Sequence, residues 1–412
     1  MQAPHSLDAA ARRLSLSPRD PALVQDPYAL YGRLHAACPV FFWEDYGFWC
    51  VASYQGVNAL LRDRRLGRER PGGYMANVSA TGDRAHLAAF DRAEAGSMLE
   101  LEPPAHTRLR TLVNRAFVSR QVERLRPRAE ALANGLIDRF AKDGEADLIP
   151  AYATPLPVTL IAELLGVPAE DGPQLVAWSN AMVQMYMHGP TRQREDAADA
   201  AARDFADYVR CHASAKRRAP ADDLLSLLAT ASADGDRLSE EELVSSVILL
   251  LNAGHEATVH QTGNAIRLIL GQGGDPRRFV ADREASAATV EECLRRDAPL
   301  HMFTRYAYEP VEIADGVTLE PGEMVGLLLG AANTDPAAFA DPLAFDPGRS
   351  DQKNVSFGAG IHFCIGAPLA RLEMQESLAA IFHRLPGLTL AEKPLYRDAY
   401  HFHGLETLRC RW

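Results

Sequence analysis

Gly358, Gly360 and Gly366 crowd around one cysteine in Phe357-Gly-Ala-Gly-Ile-His-Phe-Cys-Ile-Gly366, just ahead of a helical pattern that opens at Ala367-Pro368. Glycines permit a tight turn and let the backbone approach a flat partner closely. A cysteine just before a helix N-terminus feels the dipole and the free N–H groups there, which favour the thiolate. A thiolate in a dry pocket is a strong ligand for a soft or borderline metal. The same residues could instead make a buried structural cysteine in a turn. A phosphate-binding loop fits less well, because no Lys-Ser/Thr pair follows the last glycine. Zinc needs three or four ligands, and only His362 stands near Cys364.

Other spacings carry chemistry of their own. Glu292 and Arg295 face each other at i and i+3 on a helix, which taken alone reads as a solvated surface pair. His106 and Arg110, in Pro103-Pro-Ala-His-Thr-Arg-Leu-Arg110, stand at i and i+4 on a helix that begins after two prolines, so both can point at one anion. In Ala253-Gly-His-Glu-Ala-Thr258 an acid sits within an apolar helix, where taken alone it reads as a satisfied buried carboxyl.

Taken together these residues resemble the cytochrome P-450 family. F-G-x-G-x-H-x-C-x-G is similar to its heme-ligating signature. The resemblance implies a mainly α fold with small β-sheets, with heme b held between a long central helix and the cysteine-ligand loop. Cys364 would be the axial thiolate, the iron's protein ligand, pushing electron density onto the metal. Phe357 would pack beside it, Gly358 and Gly366 would shape the loop, and His362 would reach a heme propionate. Glu292-Cys-Leu-Arg295 resembles the family's E-x-x-R pair, and Phe345-Asp-Pro-Gly-Arg349 the segment whose arginine completes that network. Glu292, Arg295 and Arg349 are then structural. Pro103–Arg110 resembles the D-P-P-x-H-x-x-x-R segment, with Glu102 for the usual Asp, so His106, Arg110 and Arg305 would join His362 around the propionates.

Ala253–Thr258 resembles the oxygen-binding motif A/G-G-x-D/E-T. Ala253 and Gly254 would leave room for dioxygen, and Glu256 would lie on a proton route. The family's threonine position holds Ala257, and the hydroxyl comes one place later, at Thr258. One residue is about 100° of helix rotation, so Thr258 cannot simply take over. A water or a substrate hydroxyl is expected to complete the relay. By family position the loop Gly72–Phe90, Leu249, Asn252, Ala253, the segment Leu300–Phe303 with Met302, and the hairpin near His401–Phe402 would line the distal side. Met182, Met185 and Met187 would roof it or pack as core. His255, His301 and His401 are candidates for orienting a substrate.

The implied reaction is monooxygenation of a small, largely apolar organic substrate by O₂. Its two electrons would come from a ferredoxin and its reductase. The alternatives are a peroxide-using or oxidative-coupling enzyme of the same fold, and a heme-thiolate protein that binds a ligand without turnover. Arg108, Arg115 and Arg371 are candidate docking points for the electron donor.

The elements that must position these groups follow from pattern. Pro39–Tyr54 is aromatic and β-branched around an Asp45–Gly47 turn and reads as strands. Leu66–Met98 reads as a long loop with a short helical piece. Helical spacing dominates from His106 to about Gly274; one expected face carries Leu125, Leu132, Leu136 and Phe140, with Pro127 in the first turn. A capping box at Ser239 and Glu242 opens a helix expected to reach Leu270 and stop at Gly271, apolar on nearly every face in its first half and hence central. A helix at Ser286–Arg296, strands around Thr304–Leu329 and a final helix from Ala367 to about Leu385 complete the reading.

The whole is 412 residues, 47% hydrophobic and 24% charged, with 43 basic and 54 acidic side chains and a net charge of −11. That composition excludes general disorder, and the acidic balance argues against nucleic acid as the main partner. No signal-peptide core or membrane-length apolar run occurs, and the cysteines are scattered without paired spacing. These features predict a cytoplasmic protein with reduced thiols and no membrane association. Residues 1–412 are expected to form one domain, and a monomer.

Overall fold

The computed structural model describes residues 6–73, 84–114, 117, 122–187, 189–230, 232–233 and 236–412. Its longest helix, Glu240–Leu270, starts where the capping box predicts. Ser239 Oγ accepts from the Glu242 N–H at 3.2 Å, and the Glu242 carboxylate accepts from the Ser239 N–H at 2.8 Å. The reciprocal pair satisfies two N–H groups that a helix start leaves without partners. The Gly271 N–H closes the far end on Arg267 O at 3.0 Å. Between them most side chains are buried, as the all-round apolar first half requires, and the second half buries polar His260, Gln261, Thr262 and Asn264 as well.

The chain divides into two compact units. The first comprises Met1–Gly67, Leu125–Thr154 and Ala257–Trp412. It carries a seven-stranded sheet in the order Ser6–Asp8, Arg13–Ser15, Val40–Trp43, Phe48–Val51, Met324–Leu327, Phe303–Ala307, Leu66–Gly67. Val40–Trp43 and Phe48–Val51 form the expected hairpin, and Met324–Leu327 joins it in parallel, pairing Val325 with Trp49. Trp43, Phe41, Leu34, Tyr31, Cys50 and Met302 pack as one buried cluster beneath this sheet. The unit also holds the helices Tyr28–Ala37, Arg126–Phe140, Arg283–Arg296 and Ala367–Arg384. In Arg126–Phe140 the buried face is Ala129, Ala133, Leu136, Ile137 and Phe140. The expected face is therefore only half right. Leu125 precedes the helix and Leu132 is half-buried, because the small Ala129 and Ala133, not the larger leucines, meet the neighbouring packing.

The second unit, Arg68–Arg124 with Pro155–Glu256, is helical. Its helices include Ala88–Ala95, Ala105–Asn114, Pro155–Leu165, Gly172–Val183 and Arg192–Arg218. The short helix expected between Leu66 and Met98 is Ala88–Ala95. A residue far along the chain fixes its start: the Asp199 carboxylate accepts from the N–H groups of Ala89 at 2.6 Å and Phe90 at 3.2 Å. The protein as a whole is about 53% helical with small sheets, the fold class the sequence implies. Among the described residues, no helix is long and apolar enough to cross a membrane.

Candidate active site

The cysteine loop closes on itself before the helix Ala367–Arg384 begins. The Cys364 N–H donates to Phe357 O at 2.9 Å, and the Phe363 N–H to Gly360 O at 3.2 Å. Gly358 and Gly360 have φ of +69° and +71°, the region that favours glycine. At Gly360 the need is also steric, since a Cβ would lie 2.4 Å from Leu61 O. Cys364 and Phe363 are both exposed on this loop, Phe363 by 39%. An exposed phenylalanine beside an exposed thiol, three residues ahead of a helix N-terminus, suits a flat apolar group with a metal at its centre. Arg371, one turn into that helix, lies over the Phe357 ring at 4.5 Å and pairs with Glu291 at 3.0 Å. His362 is half-buried in the turn Gly360–His362.

In the same unit, Arg295 and Glu292 are 1% and 3% exposed and form a bidentate pair at 2.7 and 2.8 Å. Arg349 Nε adds a third bond to Glu292 at 3.1 Å. Arg295 donates further to the carbonyls of Asn333, Pro342 and Ala344. Every strong donor in this buried group meets an acceptor, which is what tolerates two charges out of water. The solvated-pair alternative is thereby excluded. Arg305 is buried on the strand Phe303–Ala307, its guanidinium 5.7 Å from the Phe303 ring centre.

The long helix carries the oxygen-motif residues. Leu249, Ala253 and Ala257, at i, i+4 and i+8, are all more open than their buried neighbours, and Ala253 is exposed. These three positions trace one open stripe along an otherwise buried helix. Thr258 is 6% exposed and off that stripe, as helix rotation requires. Glu256 is 8% exposed, with its carboxylate 3.9 Å from His255 Nε2. His255 Nδ1 lies 2.7 Å from Leu251 O of its own helix. Gly254 owes its small size to packing, because a Cβ there would lie 2.8 Å from Ile161 Cγ1. Asn252 Nδ2 donates to Met182 Sδ at 3.8 Å, and its buried Oδ1 has no partner among the described residues. His106 and Arg110 belong to this second unit and share a face of Ala105–Asn114, His106 being 2% exposed.

Several expectations change. Met302 is 3% exposed and packs with Trp43 and Cys50 in the core, since the bare Gly326 leaves room for its sulfur. Met182 is likewise fully buried. His301 is fully buried and lies 2.6 Å from Tyr31 Oη, so it serves a protein network and not a substrate. Phe402 and Leu300 do come together, through an isolated bridge. Arg108 pairs with Glu242, and Arg371 with Glu291, so both docking candidates are already neutralised. Residues 74–83 of the Gly72–Phe90 loop, and Arg115, lie outside the described residues. Asp297 and Glu94, both buried acids, were not singled out by sequence; Asp297's place directly after Arg295-Arg296 at a helix end was its one available signal.

In the first unit, an exposed thiol on a glycine loop directly ahead of a helix N-terminus stands with a buried Glu–Arg–Arg network, a donor set that fits a metal-centred cofactor. A cytochrome P450 family model matches residues 280–390. The chain is 37% identical over 400 residues to the cytochrome P450 monooxygenase PikC of Streptomyces venezuelae, covering 94% of this chain and 91% of that one. It is 37% identical over 385 residues to the vitamin D(3) 25-hydroxylase of Pseudonocardia autotrophica, covering 90% and 92%. The crystal structure of CalO2 superposes with a TM-score of 0.89 at 31% identity, covering 97% of this chain and 98% of that one. The chain belongs to the cytochrome P450 family. It is an oxidoreductase of the monooxygenase type, and the family implies heme held by a cysteine thiolate.

Proposed function

We propose that Cys364 is the axial thiolate of heme b in a monooxygenase that oxidises a small, largely apolar organic substrate. The carrying observation is the exposed thiol on a loop shaped by left-handed glycines directly before a helix N-terminus. When bound, the heme would supply dioxygen activation. Everything else falls to the chain. The N-terminal dipole of Ala367–Arg384 favours the thiolate of Cys364, and Phe357 with Arg371 over it stiffens the loop. His106, Arg110, Arg305 and His362 would neutralise two propionates. Glu256 would hold and pass a proton on the distal side. Asn252 Oδ1 offers a free acceptor to a substrate hydroxyl or amine, while Leu249, Leu300 and Phe402 supply apolar contact.

We read the donor system as ferredoxin with its reductase, the protein as cytoplasmic and monomeric, and residues 1–412 as one working domain. Purified protein with NADH, a ferredoxin, its reductase and a substrate found by spin-state screening is expected to yield an oxygenated product. NADH consumption that forms only peroxide would contradict the reading. One observation favours a second route: Ala257, without a hydroxyl, occupies the open stripe while Thr258 is turned into the protein. Product formation from hydrogen peroxide alone, at rates above those with the ferredoxin system, would establish that route instead.

A further inference from the structure

A buried polar cluster in the first unit surrounds Asp297, which is fully buried at the end of Arg283–Arg296. Tyr28 Oη donates to its Oδ1 at 2.6 Å; Tyr396 Oη and Arg267 Nη2 each donate to its Oδ2 at 2.7 Å. His403 Nε2 lies 3.3 Å from Oδ1, and the His403 ring stacks on Tyr396 at 3.7 Å. His301 extends the cluster, with its ring 4.3 Å from His403 and its Nδ1 near Tyr31 Oη, which donates to Tyr400 Oη at 3.0 Å.

Ligand atoms of Asp297, His301 and His403 all lie within 4.8 Å of one another, a spacing that could hold a metal ion. The charge argues otherwise. Arg267 already neutralises the carboxylate, and each oxygen accepts a tyrosine hydroxyl, so a dication would have to displace these partners. Burial disfavours the carboxylate, yet Arg267 and then His403 hold it well below the usual range. Asp297 is thus an anchored anion and not a vacant ligand.

What it anchors are two stretches with little regular structure. Residues 297–302 follow one helix, and residues 396–405 approach the C-terminus. The backbones meet through His301 N–H to His401 O at 3.0 Å and His403 N–H to Pro299 O at 2.9 Å, with Leu300 and Phe402 bridged between them. Tyr396 and His403 approach the carboxylate from the second stretch, Tyr28 from Tyr28–Ala37 and Arg267 from the long helix.

We propose that Asp297 is a positioning residue: it clamps residues 396–405 onto 297–302 and so sets where Leu300 and Phe402 meet the substrate. This rests on the reading above that those two side chains face the substrate. Asp297→Asn keeps the shape but leaves the Arg267 cation without its counter-charge. Tyr396→Phe removes one anchor with less risk to folding. The probes are imidazole, which reports access to the iron, and 4-phenylimidazole, whose ring also touches distal side chains; both are titrated by Soret absorbance. In either variant imidazole should bind as in wild type, and 4-phenylimidazole should weaken, by about tenfold in Asp297→Asn. Amide hydrogen exchange should speed up in 396–405 while the sheet stays protected.

An unchanged ratio of the two affinities, in Tyr396→Phe as well, would overturn the proposal, as would exchange rising uniformly across the unit. Failure of wild type to bind imidazole at all would strike the heme reading instead. The exchange measurement would then still decide whether the clamp exists.

Discussion

At Ala257 a single methyl stands where the family's pattern places a threonine, on the open stripe of the long helix. Its neighbour Thr258 has the hydroxyl but is buried about 100° away around the axis. If a water or a substrate hydroxyl completes proton delivery, Ala257→Thr should leave product per NADH about the same with the true substrate. A marked gain in coupling, read as product formed against peroxide released, would show that the missing hydroxyl limits the native enzyme. At this scale the sequence was informative where chemistry restricts the residue type. Cys364 was legible as a candidate ligand because few residue types bind a metal, whereas the Glu292–Arg295–Arg349 network was legible only through the family resemblance, the i,i+3 pair alone reading as a surface pair. His301 was not, because a histidine can serve a substrate or a buried hydroxyl equally well, and only the fold brings Tyr31 to it.

The elements divide by the range of the interaction that fixes them. The capping box of Glu240–Leu270 is local, four residues long, and was readable directly. The start of Ala88–Ala95 was not, since Asp199 caps it from 109 and 110 residues away. The turn at Gly360 combines both kinds. Its positive φ is a local demand, whereas the close approach of Leu61 O is a tertiary one. Gly360→Ala therefore meets backbone strain and a carbonyl at once and should cost about 1–3 kcal/mol. The expected result is a lower thermal midpoint together with reduced heme loading. A variant with full loading and an unchanged midpoint would mean that the loop can relax away from Leu61, and that Gly360 is not what fixes the thiol.

For the molecule as a whole, the net charge of −11 coexists with docking candidates that are already paired, Arg108 with Glu242 and Arg371 with Glu291. The buried acids bear more directly on stability. Burial, reinforced by Glu100, pushes Glu94 up to about 8, against 4.5 for an ordinary glutamate. Between those values the folded chain keeps a proton that the unfolded chain has released, so stability falls as pH rises from about 4.5 to 8. Glu94→Gln should flatten this slope, gaining on wild type as pH rises from about 4.5 and levelling off above about 8. Parallel denaturation curves across that range would show that Glu94 ionises freely.

The central claim is that Cys364 ligates heme iron as a thiolate, and the carbonyl complex of the reduced protein tests it most directly. Wild type should show the red-shifted Soret band of a thiolate-ligated ferrous carbonyl, and Cys364→His should lose that band while still binding carbon monoxide. A wild-type carbonyl spectrum matching histidine-ligated heme, or a red-shifted band that persists in Cys364→His, would contradict the account.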